Sequence, residues 1–319
     1  MKNNNKESIS VNDVSFVVES IRTHKKPNSK VRGLIKKGRM LLKEGDEGAA
    51  NLFGILYSDG ILFKRNLSKS AELFLVGEKT NNHKMIYNAA RTFMKMSINK
   101  KPGTKEKNDL FNKAIEYATR AANDGYFPAI MYIIDIHANR DSYDPNLDFN
   151  KLMSDCYNFN DPEKMKNAIM ERESRREDKS NGLIIKKWYE KAIALGEKEA
   201  MVHLAKMYFY DEIEDTPNNS NFKKLLFGAI EEKLPGAYLL LGRLYSSDRN
   251  RIVDHDEALA FKWTLMAAEA GDEEAMMDVS SMYEYGIGVE KSAEKHRYWI
   301  DKLGELWDLF DLQKSTNSI

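Results

Sequence analysis

The feature that most constrains this chain is a nine-position pattern that keeps returning: small, three variable residues, apolar, small, two variable residues, aromatic. It stands at Ala49/Phe53/Gly54/Tyr57, Met85/Ala89/Ala90/Phe93, Ala200/Leu204/Ala205/Tyr208, Ala237/Leu241/Gly242/Tyr245 and Ala275/Val279/Ser280/Tyr283. Positions one, five and nine fall on one helical stripe, with six beside them. Self-similarity at a fixed period is the signature of a repeat array. It also explains an anomaly in GAYLLLGRLYSSD, where Gly242 should cost about 1 kcal/mol against alanine inside a helix. The slot otherwise holds alanine or serine, so the expectation is that a neighbouring helix approaches closely there.

A second helix follows each first one, as in KAIEYATRAANDG, KKWYEKAIALG and AFKWTLMAAEAG. Gly45, Gly125, Gly196 and Gly271 stand four residues before Ala49, Ala129, Ala200 and Ala275, as expected of left-handed helix stops. First helices then start near 49, 85, 129, 200, 237 and 275, at intervals of 36, 44, 71, 37 and 38 residues. A degenerate start at Met165 divides the long interval, with Asp161-Pro162 as cap and first-turn proline. Glu173 there replaces the aromatic. The 44-residue interval holds a polar insertion, MSINKKPGTKEKND.

These boundaries predict residues 1–12 disordered, 13–48 a leading helical pair, about seven repeats over 49–303, a short capping helix over 304–312 and a frayed tail at 313–319. The fold class expected is all-α, a right-handed α-solenoid of antiparallel helix pairs.

With 49 basic and 49 acidic residues among 319, no bulk charge argues for wholesale binding to nucleic acid or an anionic membrane. A single cysteine, Cys156, excludes an intramolecular disulfide framework and suits a reducing compartment. No window approaches about 18 uninterrupted apolar residues. The opening MKNNNKESISVNDVSF lacks an apolar signal core. A soluble cytoplasmic protein is expected, or a mitochondrial-matrix or peripheral-membrane one if the start has been trimmed.

One combination is more specific. A-x-x-x-L-G-x-x-Y, then Y-G-x-G-V, then a lysine nine residues past the first glycine, an aromatic pair and K-A-A-x-x-G resembles the Sel1-like repeat, a relative of tetratricopeptide arrays. The last unit carries it through Tyr283, Gly286, Gly288, Val289, Lys295 and Trp299, and the unit at Ala49 through Tyr57, Gly60, Phe63, Lys69, Leu73 and Phe74. The likeness runs from about Ala49 to Leu303. It departs at His137, which replaces a tyrosine, and in the Met165 unit, which keeps little of the motif before Trp188-Tyr189. The Y-G-x-G turn argues against pentatricopeptide RNA binders. The resemblance implies a protein-binding adaptor or complex-assembly factor without chemistry of its own.

Stacked helix pairs present a long concave surface suited to extended peptides or partner helices. If first helices line it, motif positions three and seven face it: Tyr87 with Arg91, Met131 with Asp135, Val202 with Lys206 and Leu239 with Arg243. Tyrosine and arginine are favoured interface anchors, which singles out Tyr87, Arg91 and Arg243.

No phosphate-binding loop, G-x-G-x-x-G turn, H-E-x-x-H or paired C-x-x-C is present. His24, His83, His137, His203, His255 and His296 are scattered through different repeats. His255-Asp256-Glu257 is read as the acidic start of a helix, and DEIED at Asp211–Asp215 as a solvated loop without a spaced ligand set. No enzyme activity, metal or cofactor is expected.

One stretch stands apart electrostatically. His24–Lys43 carries Lys25, Lys26, Lys30, Arg32, Lys36, Lys37, Arg39 and Lys43 with no acidic residue. It offers a patch for RNA, an anionic lipid surface or an acidic partner, while Val31, Leu34, Ile35, Leu41 and Leu42 mark the same helix as packed. The segment from Glu163 to Lys179 is either a solvated helix or an exposed interaction element. Protein scaffold is the favoured function, and an RNA-binding or organellar gene-expression or assembly factor the alternative.

Overall fold

The computed structural model describes residues 8–23, 27–156, 163–164, 166–168, 170, 180–210, 219–247 and 252–318, and every regular element among them is helical. It divides into two compact units, one on either side of the Asp178–Lys179 bond. Unit 1 contains α1 (Val11–Thr23), α2 (Ser29–Lys43), α3 (Glu47–Asp59), α4 (Leu67–Phe74) with a 3-10 turn over Leu75–Glu78, α5 (His83–Ile98), α6 (Lys105–Asn123), α7 (Phe127–Ala138), α8 (Arg140–Tyr143) and α9 (Phe149–Cys156). Unit 2 contains α10 (Ser180–Ala194), α11 (Glu199–Phe209), α12 (Asn219–Glu231), α13 (Pro235–Tyr245), α14 (Glu257–Glu269), α15 (Glu273–Tyr285) and α16 (Ala293–Ser318). Within each unit most of the packing joins helices adjacent in the chain, first helix on second and second on the next first. This is the packing of an all-α solenoid of helix pairs.

The turn between repeats has one geometry throughout. Gly45, Gly125, Gly196 and Gly271 have φ of +81°, +85°, +92° and +97°. Where no glycine is present, Asn81 at +53° and Lys233 at +61° adopt the same left-handed conformation, each four residues before the next motif start. In all six turns the residue after the stop donates its N–H to the carbonyl five positions back, at 2.8–3.1 Å, as in Asp46 N to Leu41 O and Leu234 N to Ala229 O. This six-to-one bond satisfies a helix-end carbonyl and reverses the chain. Asp46, Asn82 and Asp272 then cap the following helix by accepting from Ala49 N (2.7 Å), Met85 N (3.1 Å) and Ala275 N (2.9 Å).

The small slot brings helices together. A methyl group on Gly242 would lie 2.4 Å from Thr264 Oγ1 and 3.1 Å from Ala260 O, so α13 and α14 touch nearly backbone to backbone. On Gly54 it would lie 2.6 Å from the Phe74 ring of α4. Ala90, Ala205 and Ser280 occupy the slot fully buried in their repeats.

The ninth-position aromatic has a partner as well. Lys69 lies over Tyr57 (4.7 Å to the ring centroid), Lys113 over Phe93 (5.7 Å) and Lys295 over Tyr283 (5.1 Å). This cation–π contact joins first and second helix of one repeat. Its residue separation is 12 in the first and last of these and 20 in the middle, the eight extra residues belonging to the inserted loop. A backbone bond closes the same hairpin, from Asn66 N to Tyr57 O and from Ser292 N to Tyr283 O, both 3.0 Å.

Both chain ends depart from the sequence expectations. Residues 8–12 were expected to be disordered, yet Ile9 is 3% exposed and Ser8 donates to Asp46 Oδ2 at 2.5 Å. Ser10 and Asp13 then form a reciprocal cap that starts α1. The physical reason is that Gly48 lacks the side chain that would collide with Ile9 O. At the other end α16 is one helix from Ala293 to Ser318, not a separate 304–312 cap with a frayed tail, because no breaker interrupts it and Gly304 meets nothing. Met165 and residues 211–218 lie outside the described residues.

Two substitutions test this account by equilibrium denaturation. Gly242→Ala should destabilise by about 1–3 kcal/mol, since the methyl group has no room. Lys233→Gly should stabilise by roughly 0.5–1 kcal/mol by relieving left-handed strain, less the entropy glycine adds to the unfolded chain.

Candidate functional site

In unit 1 the first helices α3 and α5, with α1, bound a cleft of about 730 Å³. One side of it is a stripe along α5, Lys84, Asn88, Arg91 and Lys95, spaced so that all four share a helix face. The opposite side carries Ser58 and Asp59 from the last turn of α3 and Arg22 from α1, with Arg65 at the rim. Val18, Ile55 and Ile61 give it an apolar portion.

Asp59 is the one carboxylate among the cleft-lining residues. It pairs with Arg22 at 3.0 Å and with Lys95 at 3.5 Å, and Lys95 also donates to Ser58 Oγ at 3.0 Å. Arg65 Nε donates to Ser58 O. Arg91 is exposed and its guanidinium lies over the Tyr87 ring, 5.7 Å from the centroid. Neither Arg91 nor Lys84 makes an ion pair with any described residue.

Tyr87 itself is half-buried against Tyr126 (5.5 Å) and Tyr132 (5.7 Å). Beyond it, Asp135 accepts from Tyr143 at 2.6 Å and from Asn139 at 2.7 Å, so this groove candidate is engaged within its own repeat, and Met131 beside it is half-buried. Burial, and then the bond to Asp135, push the Tyr143 phenol up to about 12. Burial also raises the Tyr132 phenol.

Unit 2 solves the same geometry differently. Arg243 Nη2 lies 3.1 Å from Asp278 Oδ2, and Nη1 lies 3.2 Å from Glu274 Oε2 and 3.1 Å from the Tyr210 hydroxyl. Lys206 joins at 3.6 Å from Glu274. Both groove candidates are therefore members of a network tying α11 and α13 to α15. Val202 and Leu239 need correction. At 8% and 0% exposure they are core residues, Val202 packed with Ala237, Leu240 and Leu241, and Leu239 with Ala275, Met276 and Val279. The third motif position there faces the next repeat rather than a groove.

Lys84 and Lys95 were missed by the sequence reading, which took only positions three and seven. The stripe one step before the motif, continued by four, seven and eleven, would have found them.

The basic stretch is mostly helix α2. Arg32, Lys36, Arg39 and Lys43 share its exposed face, beside a shallow apolar pocket containing Met40, Leu62 and Phe63. Arg39 lies over Phe63 at 5.5 Å, Lys30 over Phe16 at 4.2 Å, and Arg32 donates to Pro27 O. Lys37 is half-buried. Lys25 and Lys26 lie outside the described residues. Among those residues no group of histidine, cysteine and carboxylates could hold a metal, and no helix is long and apolar enough to cross a membrane.

The family model for the Sel1 repeat matches residues 102–126, 186–197, 235–272 and 273–306. Among solved structures, a Sel1 repeat protein from Oxalobacter formigenes is similar at a TM-score of 0.52 and 18% identity, over 92% of this chain and 97% of that one. A protective antigen of uropathogenic Escherichia coli strains, displaying an SLR fold, aligns at a TM-score of 0.39 and 16% identity over 90% of this chain and 59% of its own. No curated protein matches the sequence.

Replacing the two arginines separates structural from available cations. Arg243→Leu should destabilise by about 1 kcal/mol, since it breaks several ion pairs of one network whose carboxylates stay open to solvent, while Arg91→Leu should stay within about 0.5 kcal/mol; chemical denaturation reads both. Alkaline titration tests the tyrosines. Their folded phenols ionise above the unfolded value of about 10, so the stability they contribute is complete below pH 10 and is lost as pH rises from there. Phenolate absorbance should show Tyr132 and Tyr143 ionising last, together with unfolding.

Proposed function

The chain carries Sel1-like repeats, and from that premise we propose that it is a non-enzymatic scaffold, an adaptor or assembly factor, holding a protein partner on the first-helix face of unit 1. Sel1-repeat proteins generally mediate protein–protein contacts. The observation that carries the placement is the contrast between two arginines at the same motif position. Arg243 is occupied by Glu274, Asp278 and Tyr210, whereas Arg91 is exposed over a half-buried tyrosine. An arginine held over an aromatic ring loses less freedom on binding than one free in solvent, which favours it as an anchor. The cleft beside it is open enough for an extended segment or one face of a helix.

Affinity purification of the full chain tests the reading. Arg91→Glu should lose the protein partners that the wild type retains, while Lys36→Glu on the exposed face of α2 should keep them. Full retention by Arg91→Glu would overturn the assignment.

A further inference from the structure

The cations of the unit 1 cleft outnumber its carboxylates five to one: Arg22, Arg65, Lys84, Arg91 and Lys95 against Asp59. Surface charges of this density are ordinarily balanced in place, and unit 2 shows how this fold does it. There α15 places Glu274 and Asp278 on the stripe corresponding to Lys84 and Asn88 of α5, and Arg243 and Lys206 reach across from α13 and α11 to meet them. In unit 1 the helices flanking α5 do not reciprocate. The matching stripe of α3 offers Gly48, Leu52, Ile55 and Asp59, and that of α7 offers Pro128, Tyr132, Asp135 and Asn139. Asp59 is held by Arg22 and Lys95, and Asp135 by Tyr143 and Asn139. Lys84 and Arg91 are left over.

The position of Lys84 sharpens the point. It is the second residue of α5, whose first turn contains no acidic residue. A helix N-terminus carries about half a positive charge and favours an anion, not a cation. Glu47 accepts from the N-cap Asn82 and Asp124 lies 3.4 Å from His83, so the carboxylates at this helix start have partners there, and no described carboxylate pairs with Lys84 or Arg91; the cleft's excess of cations lies beside the apolar side chains of Val18, Ile55 and Ile61.

Resting on the inner-face reading above, we propose that this cleft binds an acidic peptide segment of the partner, its carboxylates on Lys84 and Arg91 and an apolar side chain seated against Ile55. An acidic peptide fits better than a nucleic acid because the cleft mixes cations with aliphatic groups. Its one aromatic lining residue, Phe74, is 2% exposed and gives a base no ring to stack on.

Fluorescence anisotropy on the full chain tests it. The probes are a labelled peptide of glutamates around one leucine, the same peptide with glutamines, and a labelled oligouridylate. The glutamate peptide should bind about tenfold or more tightly than the glutamine one, weakening as salt rises. Lys84→Gln with Arg91→Gln should remove that preference, Arg91→Lys should restore part of it, and Lys36→Gln with Arg39→Gln should leave it unchanged. Equal binding of both peptides, a double variant that binds like wild type, or preference for the oligouridylate would each overturn the proposal. If the peptide fails while Arg91→Glu still loses its protein partners, only the partner's chemistry is wrong. If Arg91→Glu keeps them all, the inner-face reading has failed as well.

Discussion

A helix cannot come within backbone contact of its neighbour unless its surface is pared down at the point of approach, and here the slot holds only glycine, alanine or serine in five repeats, at Gly54, Ala90, Ala205, Gly242 and Ser280. Gly54 against Phe74 and Gly242 against Thr264 show the two forms this takes, ring on backbone and backbone on backbone. Once that distance is set, the other contacts of the repeat follow. The aromatic three positions later reaches the second helix, where a lysine covers it. The left-handed stop then returns the chain in the register that presents the next slot. Each repeat thereby buries its apolar face on its chain neighbours, and within each unit the core is divided among clusters rather than gathered at one centre.

Asn81 and Lys233 show how strong this demand is. Both adopt a backbone conformation that L-residues disfavour. The six-to-one bond outweighs the local cost, helped by the Asn82 cap after Asn81 and by Pro235 in the first turn of the helix after Lys233. Leu62, at φ +63°, shows the same in the turn after α3, where the last repeat has Gly288 at +65°. Gly288 has no such latitude, since a methyl group there would collide with Glu257 O.

The repeat grammar was legible because it is local: small slot, aromatic and stop lie within one helical hairpin, and each has a single backbone or packing reason. The surface was less legible because its contacts are not local. Arg243 meets Asp278 35 residues away, and Lys95 meets Asp59 36 residues away, roughly one repeat length in each case. Pairing opposite charges at that offset would have marked Arg243 as occupied. Leu239 and Val202 misled for a related reason: position three was assigned to a groove by analogy with Tyr87, while in unit 2 the following helix covers it. The clamp of Ser8 and Ile9 onto α3 gave no periodic signal, and only the bare Gly48 hinted at it.

The lysine–aromatic clasp spans 12 residues in two repeats and 20 in a third without losing its geometry. Lengthening a closed loop by a few residues adds only a slowly growing entropic cost, so the hairpin between first and second helix works like an open bracket of adjustable width. New sequence can enter a repeat there while the stacking of its neighbours keeps its register. This offers the architecture a route to acquiring appendages one repeat at a time.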